Sequence, residues 1–193
     1  MKKSLIGLVL LASGLSGMAH AELQDLTSWT AVGTVDALGS GAILDTSGSS
    51  ADTSAWGGTT GSWLSQVFNL VAGSTISFDW TFSSSDYLPF NDFALFSYND
   101  DVYTLSDVAA LGNTSGNTSS SDWYNFTYTV ANSGSGTVTF LVSNYQDSAV
   151  GSTLTLSNVN VAAVPEPESY ALLALGAFGL LLSRRRRALS RKN

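Results

Sequence analysis

The stretch TISFDWTF, Thr75 to Phe82, places Ile76, Phe78, Trp80 and Phe82 at every second position, with Ser77, Asp79 and Thr81 between them. Successive side chains of a strand point to opposite faces, so this period of two predicts a strand with one face in a core and the other in water. Trp123 to Val130 repeats the pattern through Tyr124, Phe126, Tyr128 and Val130, and Thr137 to Ser143 repeats it through Val138, Phe140 and Val142. Leu64 to Leu70, Asn91 to Tyr98 and Ser152 to Val161 are further strands, and Trp29 to Val35 is expected as the first. In the last of these runs the apolar phase slips from Leu154 and Leu156 to Val159 and Val161, which predicts a bulge near Ser157 and Asn158. Turn-rich pieces such as Gly112 to Asp122, Asn132 to Gly136 and Tyr145 to Gly151 separate the runs, and the glycine-rich Gly39 to Ser62 reads as a long edge loop. About seven or eight short strands without a helical period predict an all-β chain: a single antiparallel β-sandwich, jelly-roll-like, over residues 22–161.

The whole chain has 193 residues and a formal charge of −7, from 15 acids and 8 bases. All eight bases lie at the ends, at Lys2, Lys3, Arg184 to Arg187, Arg191 and Lys192. Residues 22–164 therefore hold 13 acids and no Lys or Arg; the one His is His20, and Cys is absent. Nucleic-acid partners are excluded for this region, because phosphate neutralisation needs Lys or Arg. Nucleophile–histidine arrangements, Schiff-base lysines, His-rich zinc sites and arginine clamps are excluded with them. Paired carboxylates and calcium, a cation that takes oxygen ligands, remain as site chemistry. Catalysis on the pair Asp79 and Asp92 requires folding to bring them together, and the outward phase of Asp79 argues against that, so the expectation is a protein that is not an enzyme.

Both ends carry targeting patterns. Residues 1–21, MKKSLIGLVLLASGLSGMAHA, combine two lysines, a short apolar run and the small residues Ala19 and Ala21, the order of a secretory signal peptide cleaved after Ala21 and read by the export translocon. Residues 162–193 contain Pro165-Glu166-Pro167, an uncharged apolar run from Tyr170 to Leu182, and the cluster Arg184, Arg185, Arg186 and Arg187. Thirteen helical residues reach about 20 Å, short of the roughly 30 Å hydrocarbon core, so a short transmembrane sorting helix suits transient anchoring in the inner membrane, with the arginines on the cytoplasmic side.

The order Pro-Glu-Pro, apolar helix, arginine cluster closely resembles the PEP-CTERM sorting signal. That resemblance implies an exosortase-type processing enzyme as partner, and delivery to the outer surface or the exopolysaccharide matrix of a Gram-negative biofilm. The middle of the chain, from Ser62 to Val161 with DYLPFNDF at Asp86 to Phe93, is similar to jelly-roll modules of large bacterial surface adhesins. Such modules have the look of carbohydrate-binding sandwiches whose last strand often reads Asp-Asn-Val; Ser157-Asn158-Val159 stands there in this chain.

Two candidate sites follow. Asp86, Asn91 and Asp92 are oxygen donors on one predicted loop and make a candidate calcium site, though without the spacing of an EF-hand. Trp56, Trp63, Tyr87 and Trp123 fall in loops or at strand edges, where exposed rings stack on sugar faces; packing against the sandwich is the alternative use of the same rings. The expected function is non-enzymatic binding of exopolysaccharide or cell-surface glycan, or matrix cohesion. The alternatives are an adhesion protein without a discrete ligand site and a carboxylate-dependent polysaccharide hydrolase.

Overall fold

A computed structural model describes residues 20–164 and 174–179. Thirteen strands follow in chain order: β1 His20–Leu23, β2 Thr30–Val32, β3 Thr34–Leu38, β4 Gly41–Asp45, β5 Ala51–Asp52, β6 Thr60–Leu70 and β7 Thr75–Ser84, then β8 Phe93–Tyr98, β9 Asp101–Asp107, β10 Ser119–Ser120, β11 Tyr124–Thr129, β12 Gly134–Ser143 and β13 Ser152–Ala163. They form two antiparallel sheets. Sheet A has the order β10-β7-β13-β4-β3, with β1 on β13 and β11 on β7; sheet B has the order β2-β6-β12-β8-β9, with β5 on β6.

Numbering β4, β6, β7, β8, β9, β11, β12 and β13 as one to eight, sheet A reads 1-8-3-6 and sheet B reads 2-7-4-5. This is the order produced when an eight-strand ribbon is wrapped on itself, a jelly roll. The core lies between the sheets. Ile76, Phe78 and Phe82 from β7, Leu154 and Leu156 from β13, Leu64 from β6, Phe96 from β8 and Phe140 from β12 are all buried there. Phe78 meets Phe140 edge-on at 4.8 Å and 83°, and Phe96 at 5.2 Å, so the alternating rings of β7 interdigitate with those of sheet B.

Three expectations need correction. Trp29 to Val35 is not one strand: it breaks at Gly33, where φ is +83°, and the chain passes from β2 in sheet B to β3 in sheet A. Only glycine suits that place, because a Cβ would stand 2.8 Å from the Gly61 carbonyl. The expected edge loop Gly39 to Ser62 holds β4, whose Ala42 and Leu44 are buried against β13, and the small strand β5. Five residues with two inward apolar side chains give too short a period to stand out among glycines and serines. β9, unexpected from the sequence, edges sheet B beside β8; its exposure pattern is dominated by solvent, so no alternation marks it. The bulge is where the phase slip put it, between Ser157 and Asn160, with Asn158 at φ +53°.

β13 runs the length of sheet A and sets the two ends of the molecule. At one end Ala162 pairs with Thr75 and Ala21, and Val164 N–H donates to Ser74 Oγ at 3.3 Å, so the chain enters its C-terminal segment there. At the other end, which we call distal, lie the loops 46–59, 85–92, 108–123 and 144–151.

Candidate functional site

The distal end brings together residues from both sheets. Val142 and Ala94 are register partners in sheet B, and both face the core. Two positions further along the same alternation, Asn144 and Asp92 turn inward as well. In sheet A the partners Ser84 and Ser152 face them, in phase with the core residues Phe82 and Leu154. Ser152 Oγ spans the gap, 2.8 Å from Ser84 Oγ and donating to Asp92 Oδ2 at 2.7 Å; Asp92 Oδ1 accepts the Tyr145 N–H at 2.8 Å. Ser84 Oγ also accepts the Asp86 N–H at 2.9 Å. The sandwich is therefore closed at this end by polar side chains instead of apolar ones.

Asp86 and Asp92 are 2% and 0% exposed. Burial pushes the Asp92 carboxyl up to about 7, against the hydrogen bonds from Ser152 and Tyr145 and with help from the nearby charges of Asp86 and Asp147. Asp86 is raised too, first by burial. Asn91, expected beside them, engages the start of the helical turn instead: its Nδ2 donates to Asp107 Oδ2 at 3.2 Å and its Oδ1 accepts the Ala109 N–H at 2.8 Å. Asp107 in turn caps the single helical turn Val108–Leu111. Among the described residues, no three acidic, histidine or cysteine side chains converge as metal ligands.

Trp56 and Trp63 pack on each other, with centroids 5.5 Å apart at 49°. They lie on the outer face of sheet B, because Trp63 alternates with the core residue Leu64. On the same face Leu141 and Leu95 are paired neighbours, 0% and 2% exposed although they point away from the interlayer core. Flanking side chains thus rise around them, and a groove of about 360 Å3 runs over Phe93 and Leu95 between Trp56 and Tyr145 on one side and Val102 and Thr104 on the other. Asn91 and Asp107 supply polar groups at its distal limit.

Tyr87 and Trp123 lie elsewhere. Tyr87 meets Phe90 edge-on at 5.7 Å in the 85–92 loop, and Trp123, 56% exposed, precedes β11. A separate groove of about 520 Å3 lies near that strand between Trp80, Tyr124 and Leu111. Asp79 is on the outer face of sheet A, where Asn125 and Asn158 donate to it at 2.9 and 2.7 Å and hold its carboxyl below the usual range. It does not approach Asp92, which lies in the interior at the distal end.

Ala21 lies in β1 opposite Ala162, while Ala19, the rest of residues 1–19, Pro165, Glu166, Pro167 and Arg184 to Arg187 lie outside the described residues. Residues 174–179 are helical, and no helix among the described residues is long and apolar enough to cross a membrane.

Residues 163–187 match the family model described as the PEP-CTERM protein-sorting motif. This motif implies export and processing by an exosortase. No curated protein matches the chain. Among solved structures, a CBM4 domain shares 15% identity at a TM-score of 0.33, covering 75% of this chain and 94% of that one. The N-terminal cellulose-binding domain of Cellulomonas fimi β-1,4-glucanase C shares 18% at 0.34, covering 72% and 90%. The enzymatically active domain of tailspike protein 4 from bacteriophage CBA120 shares 15% at 0.33, covering 72% of this chain and 20% of that one. Likenesses this weak transfer nothing to this chain; its jelly-roll order stands on its own strand pairing.

Proposed function

We propose that this exported sandwich is a non-enzymatic glycan-binding module of the bacterial outer surface or exopolysaccharide matrix, and that it takes its ligand in the groove on the outer face of sheet B. The observation that carries the reading is the apolar floor of Phe93 and Leu95 flanked by Tyr145 and by Trp56, which itself packs on Trp63. Aromatic faces stack on the C–H faces of sugar rings, while Asn91 and Asp107 offer an amide and a carboxylate to hydroxyls. The absence of cations from residues 22–164 favours a neutral glycan over an anionic one in direct contact. The separation of Asp79 from Asp92 supports a role without glycoside hydrolysis, which needs two carboxylates across one bond.

The test is a pull-down with the exopolysaccharide of the producing bacterium and a glycan array, comparing the protein with Trp56→Ala and Tyr145→Ala. Each substitution is expected to weaken binding at least tenfold, about 1.4 kcal/mol, while leaving the fold intact by circular dichroism. Equal binding by the variants, or no binding by the parent, would leave an adhesion role without a discrete site as the better reading.

A further inference from the structure

The polar closure of the distal end has a composition unlike that of an ordinary satisfied core. Buried carboxylates are normally paired with a cation or fully hydrogen-bonded. Here Asp86 and Asp92 are both buried, and residues 22–164 contain no Lys or Arg to pair with them. Asp86 Oδ1 accepts the Tyr87 N–H at 3.0 Å, but Asp86 Oδ2 is buried without any partner.

A second orphan follows β12 at the same end of the sandwich. Asn144, 1% exposed, gives its Nδ2 to Thr60 Oγ1 at 3.0 Å, and its Oδ1 is buried with no partner. The β12–β8 ladder ends at the pair Ser143–Phe93; one residue beyond it on each strand, Asn144 and Asp92 continue the inward phase of Val142 and Ala94, toward the end that Ser84 and Ser152 face from sheet A. Both unmet groups at this end are acceptor oxygens; the remaining one among the described residues, Asn160 Oδ1, lies on β13 opposite Ser77, away from this end. A proton donor or a hard cation is what such a set lacks.

We propose that the distal plug between the sheets is a divalent-cation site of the calcium type, formed by Asp86, Asp92 and Asn144 with the hydroxyls of Ser84 and Ser152. Calcium accepts six to eight oxygens in flexible geometry, so two carboxylates supplemented by amide, hydroxyl, main-chain and water oxygens suffice without a third acid side chain. Magnesium, which demands near-octahedral geometry and gives up water reluctantly, fits the same set less well. The cation offsets the mutual repulsion of Asp86 and Asp92 and joins sheet A to sheet B in a chain that has no disulfide. This site is independent of the glycan reading, since it stands on buried oxygens inside the sandwich and not on the outer face of sheet B.

The experiment is a calcium titration of the purified full chain at pH 8, followed by calorimetry and by the thermal midpoint, against magnesium and against sodium chloride of matched ionic strength. A hundredfold excess over the dissociation constant is expected to raise the midpoint by about 5 °C or more, reversibly with a chelator. Asp86→Asn and Asn144→Ala are expected to lose most of that rise, and Asp79→Asn, on the outer face of sheet A, to keep it. Two variants keep the test valid if one fails to fold. No rise with calcium, a rise no larger than with magnesium, or a full rise in Asp86→Asn would overturn the site. No calcium response in the parent protein, with its glycan binding retained, would count against this site alone.

Discussion

Asp92 shows how one residue's chemistry is set by its surroundings. Its carboxyl bridges the sheets by accepting from Ser152 and from the Tyr145 main chain, yet burial raises it to about 7 from an unfolded value near 3.8. Between those values the folded state holds a proton that the unfolded state has released. Stability therefore falls as pH rises through this window and is lowest, for this group, above about 7. In chelator, thermal unfolding is expected at a higher temperature at pH 5 than at pH 8, and Asp92→Asn should flatten much of that slope. A midpoint that rises from pH 5 to pH 8 in the parent protein would contradict the assignment. Asp79, also a strand-phase aspartate, behaves in the opposite sense because two amides donate to it at the surface. Residue type alone distinguishes neither carboxyl from the other.

At the level of elements, β7 is the part read most completely from sequence. Its apolar set faces the core and its register with β11 and β13 places Phe78 at the centre of the ring cluster. The β2–β3 step is its counterpart, since a continuous apolar stretch hides a change of sheet. Gly33 carries that change: with φ at +83° and the Gly61 carbonyl close behind it, Gly33→Ala must both strain the backbone and push β6 away. A loss of about 2 kcal/mol or more is expected in urea unfolding, whereas Gly39→Ala, whose Cβ meets nothing within 4 Å, should cost less despite its own positive φ. The same positional logic explains why Trp56 and Trp63, seven residues apart, meet. The short turn Ser54–Trp56 folds back before β6 begins and lays one indole on the other.

Across the whole molecule, charge and length divide the chain into a domain and two basic ends. The twelve residues of β13 span roughly 40 Å, so the grooves and loops of the distal end lie far from Val164, where the PEP-CTERM match continues into the sorting segment. Replacing Pro165-Glu166-Pro167 or deleting Arg184 to Arg187 is expected to change both the mass and the location of the exported protein, read by intact mass spectrometry of cell and medium fractions. Unchanged mass and location in both variants would sink processing at this motif. The sequence by itself determined the sandwich class, the bulge near Asn158, the acidic cation-free domain and the sorting tail, because periodicity, phase and composition are local quantities. Only the tertiary structure decided that Asn91 turns to Asp107, that Asn144 is buried with an unpartnered oxygen, and that Trp56, packed on Trp63, shares a groove with Tyr145 while Tyr87 and Trp123 do not. Those relations join residues brought together by strand register and sheet stacking across dozens of positions, and no local pattern in the chain encodes which distant side chains will face one another.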